Sequence, residues 1–145
     1  MPYPFDLNPI LLVCIIICSW VLGSFAISLM SGWYLLSRKY SRQHVTNGHL
    51  FSFATIFFGI IGYRRAVFIR VGDEGLDIST FVFLRFSHPP LLIPWSAFDS
   101  CKRTQFVFSN ILQLTLKGSK WPLFVGAGQL ANEIEKCYRQ QPVDK

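Results

Sequence analysis

Residues 66–80, AVFIRVGDEGLDIST, decide the fold. Ala66 to Val71 is dense in β-formers, Gly72-Asp73-Glu74-Gly75 is a turn, and Leu76, Ile78 and Thr80 then alternate with Asp77 and Ser79. A period of two beyond a short polar turn predicts an antiparallel hairpin with one buried face. Similar pieces flank it. Upstream, Leu50 to Ile61 is an apolar run rich in Phe and Ile. It is too short to cross a bilayer and reads as a buried strand, with a membrane-dipping segment as the alternative. Downstream, Phe81 to Phe86 is another β-rich run, stopped by Ser87-His88-Pro89-Pro90. Leu91 to Trp95 resumes the pattern, with Pro94 suited to a strand edge or end. Phe106 to Phe108 and then Leu112, Leu114 and Leu116, alternating with Gln113 and Thr115, supply two more strands. Lys117-Gly118-Ser119-Lys120 turns the chain into Trp121 to Val125.

The period then changes. Leu130, Ile134, Cys137 and Tyr138 fall at i, i+4, i+7 and i+8, with Glu133, Glu135, Lys136 and Arg139 between them, which predicts one amphipathic helix. The expected fold class is α+β, mainly β. About seven antiparallel strands form a curved sheet or small barrel, and the C-terminal helix covers an open end.

Ahead of this domain, Ile10 to Met30 (ILLVCIIICSWVLGSFAISLM) contains no charged side chain. As a helix it is about 31 Å long, against a hydrocarbon core of about 30 Å, so it reads as a transmembrane helix. Arg38, Lys39 and Arg42 follow it, whereas Asp6 is the one charged side chain before it. That asymmetry predicts a single-pass protein of the inner (plasma) membrane, N-terminus out and C-terminal domain cytoplasmic. The leader MPYPFDLN has no Lys or Arg, which argues against a cleaved signal peptide. Trp33 and Tyr34 are expected at the cytoplasmic headgroup layer. Ser24, Ser28 and Gly32 recur every four residues, a face on which another membrane helix, from a partner or a second copy, could pack closely. The expected organisation is an extracytoplasmic segment 1–8, a transmembrane helix 9–36, a basic hinge 37–49, a cytoplasmic domain 50–141 and a tail 142–145.

All fourteen Lys and Arg follow the apolar helix, with seven of the eight acidic residues, a formal charge of +7 on that side. A tethered basic domain is drawn to anionic lipid headgroups, so membrane lipids are the expected partner and nucleic acid is not. The candidate surface for lipid or an acidic partner is Arg38, Lys39, Arg42, Arg64, Arg65, Arg70, Lys102 and Arg103. Catalysis is not signalled. His44, His49 and His88 form no motif, Asp73, Glu74 and Asp77 lack the ligand spacing of a cation site, and the four cysteines lack zinc or redox spacing. No enzyme, metal or cofactor is expected.

Gly75-Leu76-x-Ile78, the element His88-Pro89-Pro90-Leu91-Leu92-Ile93-Pro94-Trp95 and the closing helix together resemble pleckstrin-homology-like domains of the bacterial and GRAM type. The chain also looks like a group of small single-span bacterial membrane proteins. Eukaryotic members of that superfold often hold phosphoinositide headgroups with basic residues in and after the first hairpin loop. Arg64, Arg65 and Arg70 fall near that place, without the Lys-led pattern of lipid-binding members. The resemblance implies a non-enzymatic interaction module at the membrane face, binding a protein or anionic lipid. The alternatives are an accessory subunit held through its transmembrane helix and an unrecognised enzyme.

Overall fold

Seven strands run antiparallel in one curled half-barrel sheet. They are β1 (Gly48–Phe58), β2 (Ile61–Gly72), β3 (Gly75–Thr80), β4 (Leu91–Pro94), β5 (Phe98–Phe106), β6 (Ser109–Leu116) and β7 (Leu123–Gly126). The computed structural model describes residues 8–106 and 109–141, so the expectations for 1–7, for Val107 and Phe108 and for the tail 142–145 lie outside the described residues. The sheet order is β4-β3-β2-β1-β7-β6-β5. Its two open edges, β4 and β5, are joined by the 3₁₀ turn Trp95–Ala97. Three helices complete the chain: α1 (Pro9–Met30), α2 (Trp33–Lys39) and α3 (Gln129–Gln140).

Alternation places the core. Leu112, Leu114 and Leu116 of β6, Leu123 and Val125 of β7, and Val67, Ile69 and Val71 of β2 point inward, and Ala131 and Ile134 of α3 close over them. In the hairpin of 66–80, Val71 stands opposite Leu76 and Ile69 opposite Ile78. A Cβ on Gly75 would lie 2.1 Å from the Ile93 carbonyl oxygen, so only glycine lets β3 and β4 pair this closely. The apolar run 50–61 folds back at its end. Gly59, at φ +57°, is the first residue of a two-residue turn that puts Ile60 at the hairpin tip.

The run 81–86 is not a strand. Leu84 N–H donates to Phe81 O (2.9 Å), Arg85 to Val82 (3.3 Å) and His88 to Leu84 (2.8 Å), forming a 3₁₀ turn at Val82–Leu84. The prolines that follow, Pro89 and Pro90, have no N–H to offer a ladder, so pairing resumes only at Leu91.

The apolar helix also stops earlier than expected, at Met30 rather than residue 36. Gly32 takes φ +77°, the left-handed conformation that ends helices, and swings the next residue off the helix axis. Trp33, expected among headgroups, is instead fully buried in the domain core. Its ring centroid lies 5.1 Å from Phe58 and 5.3 Å from Tyr63 and from His88, and its Nε1–H donates to Pro89 O at 2.9 Å. The expected hinge is packed as well. Leu92 N–H donates to Tyr40 O (3.0 Å) and Arg42 N–H to Pro90 O (3.2 Å), while the Arg42 guanidinium reaches both Asp77 oxygens at 3.1 Å. Asp77, expected on the open face of the hairpin, is therefore 3% exposed. Structurally the domain begins near Trp33 and not at Leu50.

Helix α1 is long and apolar enough to cross a membrane, and the same test is met by a signal sequence. Asn8 caps it, accepting from Ile10 N–H at 3.0 Å.

Candidate functional site

Where α1 meets the sheet, residues from four parts of the chain share one buried polar chain. Ser24 Oγ lies 2.5 Å from Ser87 Oγ, which lies 2.8 Å from His88 Nδ1. On the other side of the imidazole, His88 Nε2 is 2.9 Å from Tyr63 Oη, and Tyr63 donates to Ser31 Oγ at 2.9 Å. Ser31 donates to the Ser28 carbonyl (3.2 Å), and the Ser28 hydroxyl donates to the Ser87 carbonyl (2.5 Å).

One proton arrangement satisfies the whole series. If Ser24 donates to Ser87, Ser87 to His88 Nδ1, and His88 Nε2–H to Tyr63, every hydroxyl donates once and His88 is neutral; Ser87 Oγ also reaches the Leu84 carbonyl at 3.2 Å, and when it donates there His88 Nδ1–H donates to Ser87 instead. Burial favours the neutral form: it holds the His88 pKa below the ordinary value and raises that of Tyr63, against the lowering effect of the Tyr63–Ser31 hydrogen bond. Among the described residues no buried side-chain nitrogen or oxygen lacks a partner. Ser24, Tyr63 and His88 also line an open cleft between helix and sheet. Ser87 is fully buried, its hydroxyl is enclosed by Ser24 and His88, and no carboxylate bonds His88 among the described residues. The hydrogen bonds fasten the helix to the sheet.

Ser24 and Ser28 thus face Ser87 of the same chain. Gly32, grouped with them by spacing, serves the helix break and lies against Trp121. No group of three His, Cys, Asp or Glu able to hold a metal occurs among the described residues. Burial pushes the Cys101 thiol up to about 11, with Glu135 adding to the effect, so it is a poor nucleophile at neutral pH.

The candidate basic residues divide. Arg42 is spent on Asp77, and Arg103 on Glu135 (2.7 Å) and Asn132 (2.7 Å), where its hydrogen bond holds the Glu135 carboxyl below its ordinary value. Arg70 is half-buried and reaches the Thr46 carbonyl at 3.4 Å. Arg38, Lys39, Arg64, Arg65 and Lys102 are exposed. Arg65 sits at φ +50°, its N–H on Thr55 Oγ1 at 3.2 Å, at an irregularity in the β1–β2 ladder. Lys102 and Arg103 are on β5, and β1, β7 and β6 lie between them and β2. At about 4.8 Å per strand that separation is roughly 19 Å, so the arginine pair and the 102–103 pair do not form one patch.

Sequence reasoning missed a basic cleft beside the end of α1. Its volume is about 440 Å³, and Gly32, Leu35, Lys39, Lys117, Lys120 and Trp121 line it with no acidic residue. The lysines come from α2 and from the β6–β7 turn, nearly eighty positions apart. Two lysines flanking a turn give no local signal of this. The one sequence hint is Trp121, an aromatic beside that basic turn, which is 46% exposed. No family model and no curated protein matches the chain.

Proposed function

We propose that this protein is a single-span, non-enzymatic interaction module of the inner membrane, with N-terminus out, whose cytoplasmic, pleckstrin-homology-like domain contacts anionic lipid headgroups. The element order, strands followed by one closing helix, supports the pleckstrin-homology-like reading. The observation that carries the lipid reading is the cleft of Lys39, Lys117, Lys120 and Trp121 at the point where the apolar helix stops. With α1 across the bilayer, that level is the headgroup layer, where lysines meet phosphates and an indole suits the interface. Arg38, which follows on α2, adds positive charge around the same helix end. Each exposed base near an anionic surface contributes on the order of 1 kcal/mol, so several within one footprint give a salt-sensitive attraction.

Native mass spectrometry of the full chain, extracted from mixed phosphatidylglycerol and phosphatidylethanolamine membranes, tests this. Retained phosphatidylglycerol should fall in Lys117→Glu/Lys120→Glu and hold in Lys102→Glu. Equal retention in all three, or none in the unaltered protein, rules the headgroup reading out.

A further inference from the structure

We infer that the aromatic turn 81–86 and the hairpin tip at Ile60 are immersed among acyl chains of the leaflet nearer the domain, so that the sheet sits partly within the bilayer. This rests on α1 being the span. The Phe86 ring lies 5.4 Å from that of Trp20 and 5.8 Å from that of Phe25. Trp20 is ten residues from the helix end at Met30, about 15 Å along the axis, and Phe25 about 7.5 Å. A core of about 30 Å needs about twenty residues, so a 22-residue helix places both rings inside hydrocarbon. Shifting the boundary to Gly23, to leave Phe86 in water, leaves a span of only about 21 Å. A mismatch of roughly 9 Å is a strongly disfavoured fit.

The turn is built for that solvent. Val82, Phe83 and Phe86 are 70%, 60% and 42% exposed, and Ile60 is 75% exposed. Phe53, itself 57% exposed, extends the surface through its contacts with Phe68 and Phe81. Backbone at membrane depth needs its polar groups satisfied, and four amides of this segment, those of Leu84, Arg85, Ser87 and His88, donate within the turn. Arg85 is the one charge there, exposed, with a stem long enough to carry its guanidinium toward the phosphates. Between helix and sheet an open cleft of about 810 Å³ is walled by Trp20, Ile27, Ile60 and Leu84, with Arg64 and His88 also lining it; Arg64 is exposed and, like Arg85, has a stem long enough to carry its charge toward the phosphates, and an acyl chain is the occupant available at that depth.

The unaltered chain can be reconstituted alone into vesicles doped with a phospholipid carrying a diazirine midway along one acyl chain, irradiated, and mapped by peptide sequencing. Lipid adducts should appear on 82–86 and on Ile60 at yields comparable to those on Leu22, and be lost at Val45 and Lys117. Adducts on Leu22 with none on 82–86 overturn the immersion while leaving the span intact. Absence of adducts from Leu22 as well overturns the span, and the immersion with it.

Discussion

Ser24, in the apolar helix, and Ser87, in the sheet domain, bring their hydroxyl oxygens within 2.5 Å of each other, sixty-three positions apart in the chain. Through this contact the helix is fastened to the domain as well as joined to it. Ser87 passes the connection to His88, Tyr63 and Ser31, and Ser31 returns it to the helix at Ser28.

Removing Ser87 Oγ leaves His88 Nδ1 without its hydrogen-bond partner in a buried site. Ser87→Ala should therefore destabilise the protein by about 1–3 kcal/mol, the cost of a stranded polar group. Ser24→Ala should cost less, because Ser87 keeps His88 as a partner. A double-mutant cycle by denaturant unfolding in mild detergent checks this. Additive costs would mean that the two hydroxyls are uncoupled.

Acidification should loosen the same fastening. Burial lowers the His88 pKa in the folded chain below its unfolded value of about 6.5, so the unfolded state takes up the proton first. The stabilisation is fully present above about pH 6.5 and is lost as pH falls through the lower, folded value. His88→Gln should flatten that part of the stability profile between pH 7.5 and 5. Thermal unfolding of the two proteins across this range gives the comparison, and superimposable profiles would contradict the assignment.

Trp33 belongs to the domain core although only two residues separate it from the apolar helix. Trp33→Ala should cost about 3–5 kcal/mol, the range for a large buried aromatic. A fragment starting at Gly48 omits both Trp33 and Arg42, and should unfold at lower denaturant than one starting at Ser31. Equal midpoints for the two fragments would show that Trp33 is not part of the core.

Basic residues should separate into two kinds. Arg42→Ala strands the Asp77 carboxylate, 3% exposed, and should cost about 3–5 kcal/mol of stability. Arg64→Glu should change stability little, within about 0.5 kcal/mol, because the side chain is exposed. Calorimetry of both variants decides between them. A neutral Arg42→Ala would remove the buried pair from the account.

Most of the sheet was legible because its signals are local, but β5 was not: FDSCKRTQF has no alternating apolar pattern, and only Phe106 of it lay in an expected strand. Period-two alternation in 112–116, the four-residue turn 72–75 and the switch to helical spacing after Gly128 each report on neighbouring residues, and each lies where the pattern indicates. The turn 81–86 was misread because aromatic content favours strands, while the two prolines beyond it deprive the segment of a ladder. Trp33 was misread for a related reason: a tryptophan after an apolar helix looks the same whether it meets lipid headgroups or a core that sequence-distant strands assemble. The serine, histidine and tyrosine cluster had no legible signal at all. Its members are ordinary singly, and only the fold brings residues 24, 31, 63, 87 and 88 together. Spacing did mark Ser24 and Ser28 as a contact face, but could not say that the contact lies within the chain.

The membrane reading requires that α1 stays attached and lies in lipid. The most direct measurement is the intact mass of the chain in membranes washed at alkaline pH. The account predicts the protein in the pellet with α1 still joined to the domain. A domain released into the wash, at a mass lacking the residues through Met30, would contradict it.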